Sequence, residues 1–337
     1  MSSRMIEQLI QKMTERLGAS EAMAFSGRVE SLTALFEAFQ LGPRDCVYLS
    51  ALAPSSVVKA VMACGAVPML CDVTPDSLTI DHRALEAAVK QTIAAEQLYP
   101  RAVIADNFCG MPFALKPVKS VCDRMGLVFI EDCGECFGGT SDGFPCGSVG
   151  DYSLISLGRS SAFGTGGSGA LVISFGESPL RDGIAFCDGD AYQSIDEIYG
   201  EALLTAFDGL DRVLERSRAA AKHIDDVLSD SDFWIQRGSN NRQKSSFGAL
   251  AIIAQSEEHG ARAVAFLQNA GLAAYVRPLH VHRRACFDKG CRGFKTIENA
   301  AALAPRAFRV DIFGALHAGE LDGLMAAVDK MAKEIHE

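Results

Sequence analysis

The chain has 337 residues, 48% hydrophobic and 22% charged, enough apolar material for one large domain and a smaller second one. Its net charge is −10, with 42 acidic against 32 basic residues and no basic stripe, which argues against a nucleic-acid partner and for a small-molecule or protein partner. The stretch Met1 to Gly18 lacks a signal-peptide apolar block and no run is long enough to span a bilayer, so no membrane association and a cytoplasmic location are expected.

Residues 1–18 carry Ile6, Leu9, Ile10, Met13 and Leu17 at helical spacing and form an N-terminal helix. From about residue 20 short apolar strands alternate with helices. Leu32 to Phe39 is helical, Cys46 to Leu49 a strand, Ser55 to Ala63 a helix and Val67 to Cys71 a strand. His82 to Lys90 is helical, Ala102 to Ala105 a strand, Pro117 to Met125 a helix and Leu127 to Ile130 a strand. This order implies crossover connections and a mainly parallel sheet covered on both faces, an α/β fold. Tyr152 to Leu157 and Ala170 to Phe175 are two further strands without a clear helix between them. A charge-rich helix over 195–230 links this large domain, 19–194, to a small α+β domain over 231–337. There a strand is expected near Phe247 to Ile253, a helix near Glu257 to Asn269, a strand near Ala273 to Val276 and a closing helix from Gly319 to Ile335.

Asp132 follows directly on a buried strand. A carboxylate at the C-terminal end of a parallel strand points into the crevice where open α/β sheets bind ligands, although a helix cap or a solvated loop acid reads the same way. The run Gly164-Thr165-Gly166-Gly167-Ser168-Gly169 fits the dinucleotide fingerprint in letters only, because a strand follows it where a helix is required. Cys133 and Cys136 form a single C-x-x-C without a second pair, and His280 and His282 alternate on an extended segment; neither group has the spacing of a metal site. The 11 cysteines, odd in number and irregularly spaced, read as reduced thiols.

The stretch Leu127 to Val172 resembles the DegT/StrS family of pyridoxal-phosphate (PLP)-dependent sugar aminotransferases, fold type I. That family reads V-I-E-D-A-A-Q, G-x-x-G-D, F-S-F-H-x-x-K and G-E-G-G. This chain has Phe129-Ile130-Glu131-Asp132-Cys133-Gly134-Glu135, Gly147-Ser148-Val149-Gly150-Asp151, Ile155-Ser156-Leu157-Gly158-Arg159-Ser160-Ser161 and Gly166-Gly167-Ser168-Gly169. Gly65-Ala66-Val67-Pro68 through Asp81 is similar to G-A-x-P-x-x-x-D-V-x-P-x-T-x-x-I-D, Ser26-Gly27 resembles the phosphate loop, and Arg277-Pro278-Leu279-His280 resembles the C-terminal substrate segment. The resemblance implies a large domain with a mainly parallel seven-stranded sheet between helices, a smaller α+β domain, and dimers whose sites use both subunits. It implies that Asp132 pairs with the protonated pyridine nitrogen of the cofactor, keeping the ring an electron sink. It also implies that Ser156 and the loop at Gly27 hold the phosphate, with Arg28, where the family usually has threonine, adding a charge-assisted bond.

Four further positions depart from the pattern. The Schiff-base lysine falls at Ser161, and the sequence between Lys119 and Lys222 contains no lysine. A hydroxyl forms no Schiff base and is a poor general base without a neighbouring one. The ring-stacking aromatic aligns with Pro54, the Gln or His beside the phenolic oxygen becomes Glu135, and the acid of G-E-G-G becomes Gly167. The leading expectation is a member degenerate for transamination that acts by binding, as a homodimer or as partner of an active homologue, with PLP or pyridoxamine phosphate (PMP) held non-covalently or not at all. The alternatives are an amine-form enzyme like the family's deoxysugar dehydratases, and a working aminotransferase on a keto-sugar nucleotide. His280 is the expected substrate residue.

Overall fold

The computed structural model describes residues 4–165, 169–176, 197–238, 242–279 and 297–336. Helix α1 (Arg4–Leu17) and strand β1 (Glu21–Phe25) lead into α2 (Arg28–Ala38), β2 (Asp45–Ser50), α3 (Ser55–Ala63), β3 (Val67–Cys71), α4 (His82–Ala95), β4 (Tyr99–Asp106), α5 (Leu115–Met125) and β5 (Val128–Asp132). A small hairpin of β6 (Thr140–Ser141) and β7 (Phe144–Pro145) precedes β8 (Tyr152–Ser156) and β9 (Ala170–Ser174). Helices α6 (Glu197–Asp208) and α7 (Leu210–Leu228) follow. Then come β10 (Phe233–Ile235), β11 (Gln243–Lys244), β12 (Ala249–Ala254), α8 (Glu257–Leu267), β13 (Val276–Pro278), α9 (Glu298–Leu303), β14 (Ala307–Asp311), α10 (Ile312–Ala318) and α11 (Leu321–Glu334).

Seven strands form one sheet in the order β1-β9-β8-β5-β4-β2-β3. Pairings from β3 through β2, β4, β5 and β8 are parallel, whereas β9 runs antiparallel to both of its neighbours, β8 and β1. The period of two sorts β2 cleanly. Val47 and Leu49 pack with Leu32, Leu35 and Phe36 of α2, while Cys46 and Tyr48 pack with Leu85 and Val89 of α4. All six residues of β2 are buried, as a central strand covered on both faces requires. A four-stranded antiparallel sheet, β10-β12-β14-β13, forms a second core against α7, α8 and α11.

Two readings of the sequence are corrected, and strand β1 is found where no element was expected. The single helix expected across 195–230 divides at Gly209, with φ of −88° and ψ of 0°, into α6 and α7. Strand β1 carries no clear apolar alternation, because at the sheet edge its first four residues are only half-buried. The strand expected at Ala273 to Val276 begins at Val276, the residues before it forming a turn closed by Tyr275 N–H to Leu272 O.

Candidate functional site

The parallel ladder places Asp106, the last residue of β4, in register with Asp132, the last residue of β5. Both lie at the carboxyl edge of the sheet, where doubly wound folds open their ligand crevice. They line a cleft of about 330 Å³ together with Arg28 and Pro54 from the first half of the chain and Arg277 and Arg309 from the smaller sheet. Arg277 and Arg309 are themselves register partners, on β13 and β14. The cleft therefore has two adjacent carboxylates contributed by one sheet and two adjacent guanidinium groups contributed by the other.

Most of these charges are matched within the protein. The Arg28 guanidinium donates to Asp132 Oδ2, and Asp132 Oδ1 accepts from the Gly134 backbone N–H at 3.0 Å. The Asp132 side chain is fully buried and that of Arg28 is 20% exposed. The fit around Arg28 depends on Gly134, since a Cβ there would stand 1.9 Å from Arg28 Nη2. Across the cleft Arg309 Nη2 lies 2.7 Å from Glu135 Oε1 and 3.8 Å from Asp311 Oδ1. Burial works against the Arg309 charge, but Glu135 and Asp311 more than restore it and its pKa is raised.

Asp106 is the unmatched acid among them. It is 5% exposed, and among the described residues neither carboxylate oxygen finds a hydrogen-bond partner in another residue. Burial pushes its pKa up to about 7, helped by the charges of Asp132 and Glu135 and partly offset by its own backbone N–H and by Arg28. The neighbouring Asn107 is fully engaged: its side-chain N–H donates to Asp132 O at 3.1 Å and its Oδ1 accepts from Phe113 N–H at 3.3 Å.

Glu131, one residue before Asp132, faces away from this chemistry. Its carboxylate accepts backbone N–H bonds from Gly147 (2.9 Å), Val149 (2.7 Å) and Gly150 (2.6 Å), which pins the G-x-x-G-D loop beneath the sheet. Burial raises its pKa even so, the three bonds opposing the shift. Cys133 and Cys136 sit buried with Phe137, Cys146 and Phe163, and burial pushes the Cys133 thiol up to about 12, an inert core position.

Of the residues singled out from the sequence, Arg28, Pro54, Asp132 and Glu135 come together in the cleft. Gly27 precedes Arg28 at the start of α2, and Ser156 ends β8 half-buried; neither forms part of the cleft wall. Arg28 was expected beside a phosphate; its guanidinium instead rests on Asp132. Ser161 is 2% exposed and bound into its own turn, donating to Gly158 O at 2.6 Å and accepting from Phe163 N–H at 3.2 Å. His280 lies outside the described residues. No lysine lines the cleft among the described residues. Two charged cleft residues are not evident from the sequence. Asp106 carried the signal that marked Asp132, an acid closing an apolar strand, but the strand was ended one residue early. Arg309 lies in a segment to which no element had been assigned.

A profile of the DegT/DnrJ/EryC1/StrS aminotransferase family matches residues 2–178. The chain belongs to this family. The L-glutamine:2-deoxy-scyllo-inosose aminotransferase of Streptomyces paromomycinus is 23% identical over 324 residues, covering 88% of this chain and 75% of that protein. Six further curated relatives are matched over only 40% to 55% of their own lengths. Among solved structures, a DegT DnrJ EryC1 StrS aminotransferase from Brucella abortus superposes with a TM-score of 0.85 at 20% identity, covering 98% of this chain and 91% of that one. The PLP-form of Spr1654 from Streptococcus pneumoniae gives 0.84 at 15% identity, covering 100% and 93%. These neighbours share the PLP-dependent fold type I, and family members bind the cofactor in its PLP and PMP forms. No described helix is long and apolar enough to cross a membrane.

Proposed function

We propose that this family member does not transaminate through a lysine-bound cofactor and instead works by binding, as a homodimer or as the partner subunit of a lysine-bearing homologue. The observation that carries this reading is the ion pair between Arg28 and Asp132. When PLP is bound, the family aspartate faces the cationic ring nitrogen and makes the ring an electron sink. Here a cation of the protein's own already stands on that carboxylate.

The other positions agree with this. Ser161, where the resemblance puts the lysine, has a hydroxyl that donates into its own turn. Pro54 lines the cleft where a flat aromatic would stack, and offers no π face. Glu135, paired with Arg309, adds negative charge near Asp106 and Asp132. These residues do not fit a covalently held pyridoxal ring. The Streptomyces paromomycinus relative is named for 2-deoxy-scyllo-inosose and the Acidithiobacillus ferrooxidans relative for UDP-N-acetyl-3-dehydro-alpha-D-glucosamine, so a sugar-derived ligand is the class this cleft serves. The second reading, a cofactor-using aminotransferase or dehydratase acting on a keto-sugar nucleotide, is favoured by Asp132 itself, which keeps its place at the end of β5.

The test is the visible spectrum of the untagged protein with and without added PLP, before and after borohydride. A sample that stays colourless once free PLP is dialysed away supports the proposal. A yellow band that borohydride bleaches overturns it. Co-expression with a lysine-bearing homologue and measurement of subunit exchange then separates the homodimer from the mixed dimer.

A further inference from the structure

In the cleft the charged side chains divide into pairs and remainders. Arg28 neutralises Asp132, and Glu135 neutralises Arg309. Two groups are left over. Asp106, on β4, is buried with both oxygens unpartnered, and Arg277, on β13, is exposed and forms no ion pair among the described residues. The remainders have opposite sign and come from different sheets.

An unpartnered buried carboxylate is costly, because it has lost its hydration without gaining donors, and such groups are retained where something else supplies those donors. Among the described residues no other residue's side chain does: Asn107 is committed to Asp132 O and Phe113 N–H, and Arg28 to Asp132. The missing donors must therefore enter through the cleft that Asp106 lines. A primary ammonium brings three N–H donors and one positive charge, the complement of a carboxylate with two empty oxygens. From the smaller sheet Arg277 presents to the same cleft a guanidinium suited to a carboxylate or phosphate. A volume of about 330 Å³ lies at the small end of the range for ligand pockets and suits a molecule of monosaccharide size.

We infer that the cleft is a recognition site for a small zwitterion of monosaccharide size, with Asp106 holding a primary ammonium and Arg277 an anionic group. The inference deepens the binding role proposed above and rests on it, since it needs a cleft that no cofactor ring fills. It distinguishes an amine-bearing ligand from the keto form that a transaminase would receive. The raised pKa of Asp106 agrees with it: an entering ammonium would supply the charge whose lack keeps that carboxyl partly protonated near neutral pH.

Calorimetric titration of the full chain tests the inference with three probes: glucosamine-6-phosphate, glucose-6-phosphate and glucosamine. The first should bind about tenfold or more tightly than either of the others, the worth of one charge-assisted hydrogen bond. Asp106→Asn should lower its affinity to that of glucose-6-phosphate, and Arg277→Gln to that of glucosamine, with thermal unfolding confirming that both variants fold. Equal binding of the three probes, no binding of any, or an amine preference that survives Asp106→Asn would overturn the inference. The sample's spectrum keeps the two readings apart. Colour that borohydride bleaches overturns both, whereas a colourless protein without amine preference overturns this one alone.

Discussion

Arg28, the first residue of α2, places its guanidinium on the fully buried carboxylate of Asp132 at the end of β5, 104 positions along the chain. Asp132 would otherwise be a buried charge with a single donor among the described residues, the Gly134 N–H. Removing one partner of such a pair costs about 3–5 kcal/mol, because the other is left uncompensated. Arg28→Thr is therefore expected to destabilise the protein by about that amount in urea unfolding. It should also open Asp132 to an external cation, so added PLP should raise the unfolding midpoint of the variant more than that of the wild type. A variant as stable as the wild type would show that the pair contributes little.

Gly134→Ala attacks the same contact from the other side. The new methyl would meet Arg28 Nη2 at 1.9 Å and Asp132 Oδ1 at 3.2 Å, so the guanidinium must leave. The double variant with Arg28→Thr should then be no less stable than Arg28→Thr alone, since the two changes break one interaction. Additive losses in denaturant titrations would mean that Gly134 serves some other purpose.

Ser161→Lys supplies the amine that the family uses, yet it leaves Arg28 on Asp132. With PLP the single variant is expected to stay colourless, and Arg28→Thr/Ser161→Lys to develop a visible band that borohydride bleaches. Full colour in Ser161→Lys alone would mean that Arg28 yields readily to the cofactor.

Much of this architecture was legible in the residues, for reasons that differ by element. Helix α3 and strand β3 match the sequence reading residue for residue, because one is a short amphipathic run and the other a continuous apolar run between breakers. The motif around Asp132 points to the strand end that lines the cleft. What the residues could not disclose was pairing across the chain. Arg28 read as a loop residue suited to phosphate, and only the fold brings it to Asp132. Arg309 gains meaning from Glu135 in the same way, through a contact that no local pattern announces. Glu131 looked like the neighbour of a functional aspartate, and its three backbone bonds to the loop at Gly147–Gly150 appear only in three dimensions.

Those three bonds make a prediction of their own. Glu131→Gln keeps the shape but replaces one accepting oxygen with an N–H that faces backbone donors. Hydrogen bonds to a charged acceptor are worth about 1.5–3 kcal/mol each, so a loss of about 3 kcal/mol or more in urea unfolding is expected. Because Glu131 is absent from the cleft wall, ligand affinity in the variant that remains folded should be unchanged.

Asp106 should leave a signature in the pH dependence of stability. Its pKa rises from an ordinary 3.8 to about 7 in the folded chain, chiefly through burial, with Asp132 and Glu135 adding to the rise and its own backbone N–H and Arg28 opposing it. Between these two values the native state keeps a proton that the unfolded chain has released, so stability falls as pH rises through that window. Above about pH 7 both states are ionised and the loss levels off, at a total on the order of 4 kcal/mol. Other groups titrate in the same range, so the informative quantity is the difference between wild type and Asp106→Asn. Stability of the variant relative to wild type should climb from pH 4 to pH 7 and then flatten. An ammonium ligand should shrink that difference at pH 7 by stabilising the ionised carboxylate of the wild type alone. A difference independent of pH would mean that Asp106 already has its partner within the fold, and the case for a cationic ligand in this cleft would fall with it.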